Sequence, residues 1–112
     1  MAQNFQRTLK QNISNNSGSA TELRAAADTN DAIIGVRCTN TSGVSVDITV
    51  YVKNTSTNYY IIKDAPIPTG GSLELIDGGS KVVLQSGDAV KAYASAATSV
   101  DIILSVVDAI SS

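Results

Sequence analysis

The sequence predicts an all-β fold: one antiparallel β-sandwich of jelly-roll or immunoglobulin-like type, with about eight strands. Three observations predict it. From Tyr59 to Val106, short apolar runs are broken at near-regular intervals by PIPTGGS, DGGS, QSGD and SAATS. These breakers hold the residues that turn a chain: Gly for positive φ, Pro for a fixed φ, Asp and Ser for local backbone hydrogen bonds. Between breakers the apolar residues sit two apart, the period of a strand with one buried face. Past residue 20 no segment has the length and period of an ordinary helix. A closed barrel is the alternative arrangement of the same strands.

Residues 1–20 differ in kind from the rest. They are rich in Asn, Gln and Ser, and their sizeable apolar residues are Phe5, Leu9 and Ile13. That spacing of four would place all three on one side of a short helix. NNSGS (15–19) then reads as a flexible connector. The segment is expected to be an N-terminal arm ordered by docking on a neighbour, or else a frayed end. The sandwich domain is expected over residues 21–112.

Within it, a short strand is expected over 22–26, followed by a polar loop at 28–31. The next strand spans 32–40, with Ile34, Val36 and Cys38 facing one way. Residues 44–53 give the clearest strand. Val44, Val46, Ile48, Val50 and Val52 alternate with Ser45, Asp47, Thr49, Tyr51 and Lys53, which is incompatible with a helix. Further strands follow at 59–64, 72–76, 81–85, 89–94 and 99–108. In the last, Val100, Ile102, Leu104 and Val106 alternate with Asp101, Ile103, Ser105 and Val107. A strand with apolar residues on both faces is central in a sandwich or covers a subunit interface. Ala89, Lys91 and Tyr93 make a similar mixed face.

Composition narrows the function classes. At 112 residues the chain is one domain. Only 16% of residues are charged and the net charge is −2, so no nucleic-acid footprint is expected. Arg7 and Lys10 are the only charges in residues 1–21, a weakly basic leader on an acidic body. No signal peptide or membrane span is expected. Cys38 is the single cysteine and alternates with Ile34 and Val36, so it reads as a small buried residue. The Asn-x-Ser/Thr triplets at Asn12, Asn15, Asn40 and Asn54 reflect an Asn/Ser/Thr-rich composition.

Catalytic constellations are not expected. The chain has no histidine, the usual base of a nucleophilic triad. Most of its ten acids fall at expected turns (Asp28, Asp31, Asp64, Asp77, Asp88) or on wet strand faces (Asp47, Asp101). Asp28 to Asp31 clusters oxygen ligands without the spacing of a calcium loop, and DGGS (77–80) reads as a hairpin turn rather than a phosphate loop. No metal or cofactor is therefore assigned. Tyrosines make up four of the five aromatics. Tyr59 and Tyr60 are adjacent on a strand and point to opposite faces, which limits them as a stacking platform unless the strand bulges.

The stretch YYIIKDAPIPTGGSLELIDGGSKVVLQSGDAVKAYASAATSVDIILSV resembles small virion structural proteins of tailed bacteriophages, those of marine and cyanobacterial phages above all. The shared phrases fall at 63–68 (KDAPIP), 70–72 (GGS), 81–84 (KVVL), 87–88 (GD) and 95–101 (SAATSVD), and the opening NFQRTLK (4–10) is similar too. The resemblance covers roughly residues 32–108 plus that opening, while residues 21–31 are more polar than the pattern. It implies a non-enzymatic structural protein located in the virion. A homo-oligomeric head decoration or cement subunit is expected first, with a neck or tail accessory protein or a host-glycan module on a fibre as alternatives. The expected partners are further copies of the chain, as a trimer, and virion proteins such as the major capsid protein; no nucleic acid and no membrane are expected. Its contact residues are expected among Phe5, Arg7, Leu9, Lys10, Ile13, Tyr93, Ile103 and Val107.

Overall fold

A computed structural model describes residues 4–11, 13–25, 31–54, 56–75, 82–85, 87–96 and 99–108. Among them lie nine strands: β1 (Asn4–Lys10), β2 (Thr21–Ala25), β3 (Asp31–Asn40), β4 (Val46–Asn54), β5 (Thr57–Ile67), β6 (Ser72–Leu75), β7 (Val82–Leu84), β8 (Asp88–Ala94) and β9 (Val100–Asp108). They form two antiparallel sheets. One has the order β1-β9-β3-β6, with β7 also on β3; the other has the order β2-β8-β4-β5.

The winding follows one rule. The first half of the chain pairs with the second half in reverse order: β1 with β9, β2 with β8, β3 with β6 and β7, and β4 with β5. Successive pairs alternate between the sheets. That is a jelly roll, which settles the two sandwich types the sequence left open and replaces the barrel.

The core lies between the sheets. Ile33, Val36 and Cys38 of β3 and Ile102, Leu104 and Val106 of β9 are buried in one hydrophobic cluster. Val46, Ile48 and Val50 of β4 and Val90, Ala92 and Ala94 of β8 belong to the same cluster. The dry positions of β4 and β9 thus turn inward as the sequence predicts, but Thr49 and Tyr51, expected on the wet face of β4, are buried as well. Burial pushes the Cys38 thiol up to about 12, as a small buried apolar residue requires.

Two turns show why Gly stands where it does. Gly71 N donates to Pro68 O at 2.9 Å, and Gly70 takes φ 73°. Asp88 N donates to Gln85 O at 2.9 Å, with Gly87 at φ 93°. Both place a positive φ at the third turn position, where a side chain is strained.

The structure corrects the sequence reading in several places. Residues 4–10, expected as a helical or docking arm, form an edge strand paired residue for residue with β9, from Asn4 opposite Asp108 to Lys10 opposite Ile102. A spacing of four is even, so it fits a strand face as well as a helix stripe, and the long-range ladder decides. Ile13 is fully buried in the core, so the boundary expected at residue 20 falls inside the packed unit. Ser14 ties it further, since Ala94 N donates to Ser14 O at 2.8 Å.

In β3, Ile33 rather than Ile34 is fully buried, because a bulge between Ile33 and Gly35 shifts the register. Leu73 and Val82 are only partly buried and pack against the core from the edge strands β6 and β7. Val44, expected on the dry face of β4, is exposed. Its carbonyl accepts from Asn40 Nδ2, which holds residues 41–45 in the connecting loop. β5 is longer than expected, running through the KDAPI phrase to Ile67. The hairpin expected at 77–80 lies outside the described residues.

Candidate functional site

The register of the five-stranded sheet sets its outer face. Ile103 of β9 has Leu9 on one side and Arg37 of β3 on the other, and Arg37 in turn faces Glu74 of β6. Ser105 lies between Arg7 and Gly35, and Val107 between Phe5 and Ala32. Leu9 is 57% exposed, Ile103 43% and Val83 52%. An edge strand of a sandwich normally turns apolar residues in and polar ones out. β1 does the reverse at Leu9, which shares the outward side with Ile103, while its neighbours Thr8 and Lys10 are paired with the inward Leu104 and Ile102.

Ile103 stands as a ridge between two depressions. One, about 410 Å³, is lined by Leu9, Lys10, Gln11, Asp101, Ile102 and Ile103. The other, about 220 Å³, is lined by Gly35, Val36, Arg37, Glu74, Ile103 and Ser105. A Cβ built on Gly35 would meet nothing within 4 Å, so this glycine leaves the second depression open. Arg37 Nη2 donates to Glu74 Oε1 at 3.0 Å with both side chains about half exposed, a pair that contributes little to stability.

The outer face of the other sheet carries the tyrosines. β4 brings Tyr51 opposite Tyr60 of β5, and Thr49 opposite Tyr93 of β8. The Tyr51 ring centroid lies 5.5 Å from Tyr60 and 6.3 Å from Tyr93, tilted and edge-on. Lys63 Nζ sits 5.0 Å from the Tyr60 centroid. Burial, with Tyr60 and Tyr93 beside it, raises the Tyr51 hydroxyl above the ordinary tyrosine range. Tyr59 and Tyr60 keep consecutive register opposite Val52 and Tyr51, so they point to opposite faces as expected, and the bulges of the strand lie beyond them. β5 gains a residue opposite Ile48–Val50 and another opposite Val50–Tyr51. At the first, Asp64 takes φ 53° and its N–H donates to Thr49 Oγ1 at 2.9 Å.

The expected contact residues therefore divide. Arg7, Leu9, Lys10 and Ile103 are surface residues of one sheet, and Phe5 joins them through its backbone pairing with Val107. Val107 itself is 8% exposed. Ile13 belongs to the core, and Tyr93 is half-buried on the opposite face of the molecule. The tyrosine cluster was missed because three residues far apart in sequence meet only through the registers of β4 with β5 and β8. The signal available was that Tyr51 and Tyr93 both fall on the wet parity of their strands.

Of the acids at 28–31, Asp31 is described, and Arg24 Nε donates to its Oδ2 at 2.7 Å. Among the described residues no three acidic or cysteine side chains gather as a metal site, and no helix is long and apolar enough to cross a membrane. No protein-family model matches the chain, and no curated protein matches it.

Proposed function

We propose that the chain is a non-enzymatic structural subunit of a tailed-bacteriophage virion, working in many copies and contacting both itself and other virion proteins, with head decoration or cement as its first role. The observation that carries this reading is the outer face of the five-stranded sheet. There Leu9 and Ile103 stand exposed in one row, with cations and acids of both signs around them (Arg7, Lys10, Arg37, Glu74 and Asp101). Such a face gains by being covered, at about 25 cal/mol per Å² of apolar area removed from water. The phrases shared with phage proteins support it, since KDAPIP and the glycine turns fall on the bulged β5 and on tight turns rather than at a reactive centre.

The test is protein stoichiometry and a density map of the particle whose genome encodes the chain. A decoration role expects copy numbers near that of the major capsid protein and density at the capsid lattice axes. Absence from the purified particle overturns the virion reading.

The tyrosine face favours a second reading, a host-glycan module on a fibre. Tyr60 is 45% exposed beside Lys63, and aromatic and basic groups together suit sugars and their acidic derivatives. Density at distal projections, with saturation-transfer contacts to the Tyr60 ring, selects this alternative.

A further inference from the structure

The four open strand edges of this jelly roll are not alike. An unpaired edge is a template for another strand, and proteins guard edges with bulges, prolines, breaks and charge. β5 is guarded three ways: two bulges, the left-handed Asp64, and Pro66 within the strand. β2 is five residues long and bulged between Glu22 and Arg24. The edge along β3 is broken into β6 and β7, of four and three residues. β1 alone runs seven residues in unbroken register, with no proline and no bulge, and charge is its one guard, at Arg7 and Lys10.

We propose that β1 pairs antiparallel with β1 of a second copy about a two-fold axis at Leu9, joining two five-stranded sheets into one. This deepens the homo-oligomeric part of the proposed function and rests on it. The register follows from side-chain chemistry. Directly opposite residues in an antiparallel pair share a face, so the axis must pass through a residue. An axis at Arg7 would set two guanidiniums against each other, which is destabilising. An axis at Thr8 would put Arg7 opposite Leu9. An axis at Leu9 puts Leu9 opposite Leu9, Lys10 opposite Thr8 and Arg7 opposite Gln11, with no like charges facing. It also makes one apolar row, Ile103–Leu9–Leu9–Ile103, across the seam, and covers part of the depression beside Leu9.

An isologous contact of this kind closes at two copies and does not build the three-fold state expected from the sequence. Pairing over residues 7–11 spans about 17 Å and falls well short of the roughly 800 Å² per partner of a standard interface. The pair is therefore weak in dilute solution, and many copies held on one scaffold would strengthen it.

Sedimentation velocity on the purified full chain tests the pairing. A monomer at about 1 µM should shift toward dimer as the concentration approaches about 1 mM. Leu9→Lys places two ammoniums on the axis and should abolish the shift while leaving the circular dichroism unchanged. Val83→Lys, on the same face but at the far edge, should leave the shift intact. Leu9→Cys should give a disulfide-linked dimer under mild oxidation, because Cys38 is buried and does not compete. Equal loss of the shift in Val83→Lys and Leu9→Lys would point to face-to-face packing and overturn the proposal. So would a trimer, or a monomer at 1 mM with no cross-link. A chain that pairs through Leu9 yet is missing from virions would sink the virion reading and leave the pairing standing.

Discussion

Replacing Asn40 by Ala should be among the most damaging polar substitutions in the molecule. Asn40 ends β3 and is fully buried. Its Nδ2 donates to Val44 O at 2.7 Å and to Ile67 O at 2.9 Å. Its Oδ1 accepts from Ser42 N at 2.9 Å and from Ser42 Oγ at 2.8 Å. Its backbone is also used: Asn40 N donates to Gly71 O, and Gly70 N donates to Asn40 O. One side chain thus ties the loop after β3 to the end of β5 and, with its backbone, to the turn before β6.

Alanine removes all four side-chain bonds, but the losses are unequal. Val44 O keeps Ser42 Oγ at 2.9 Å, and Ile67 O keeps a long contact from Ser45 Oγ at 3.4 Å. Each net hydrogen bond contributes about 0.5–1.5 kcal/mol, and a buried carbonyl left without a good donor costs about 1–3 kcal/mol. The expected loss is about 2–4 kcal/mol, a large part of the roughly 5–15 kcal/mol that holds a domain folded. Urea denaturation followed by circular dichroism measures it. Asn40→Asp sharpens the test, because its carboxylate cannot donate to Val44 or Ile67 and its folded-state pKa must rise. That variant should lose more stability at neutral pH and recover part of it in acid. A loss below about 0.5 kcal/mol in Asn40→Ala would refute the reasoning.

Three other outcomes are expected. Ile48→Ala and Ile102→Ala, both at fully buried positions of facing sheets, should each cost about 2–5 kcal/mol in the same assay. Cys38 should resist thiol reagents in the native state and react on unfolding; with its pKa moved from 9.0 to about 12, the stability its neutral form gives is intact below pH 9 and lost as pH rises toward 12. Deleting residues 1–10 should leave a folded but less stable body, since β9 keeps β3, whereas deleting 1–14 also removes buried Ile13 and should cost about 2–5 kcal/mol more by thermal melting.

The strands of the body were legible because each carries its period in its own residues. β4 alternates β-branched and polar side chains, β9 keeps every second residue from Val100 to Val106 apolar, and the turns at 68–71 and 85–88 announce themselves by glycine. What was not legible depends on pairing. Nothing local to Ile33-Ile34-Gly35 says which isoleucine turns inward, since the bulge exists only relative to β9. Likewise NFQRTLK has too few apolar residues to declare a period, and becomes a strand because the chain's other end offers it a ladder. The grouping of Tyr51, Tyr60 and Tyr93 follows from two registers that no single segment encodes.

The reverse-order pairing gives these facts a common cause. In this winding β4 and β5 are the only consecutive strands that pair directly, and every other pair closes around them at growing sequence separation. β1 and β9 therefore join last in order of loop length, where closure entropy is greatest. A strand in that position is held weakly from within. Ile13 and Ser14 compensate by anchoring the chain just behind β1 to the core and to β8. β1 is thus fixed at one end, laid along β9, and left with its outer edge and Leu9 open. The edge nearest the anchor has neither bulge nor proline and is guarded by Arg7 and Lys10 alone, while β5, which closes first, is the most heavily guarded. The least guarded edge and the most guarded one thus lie at opposite sides of the sandwich.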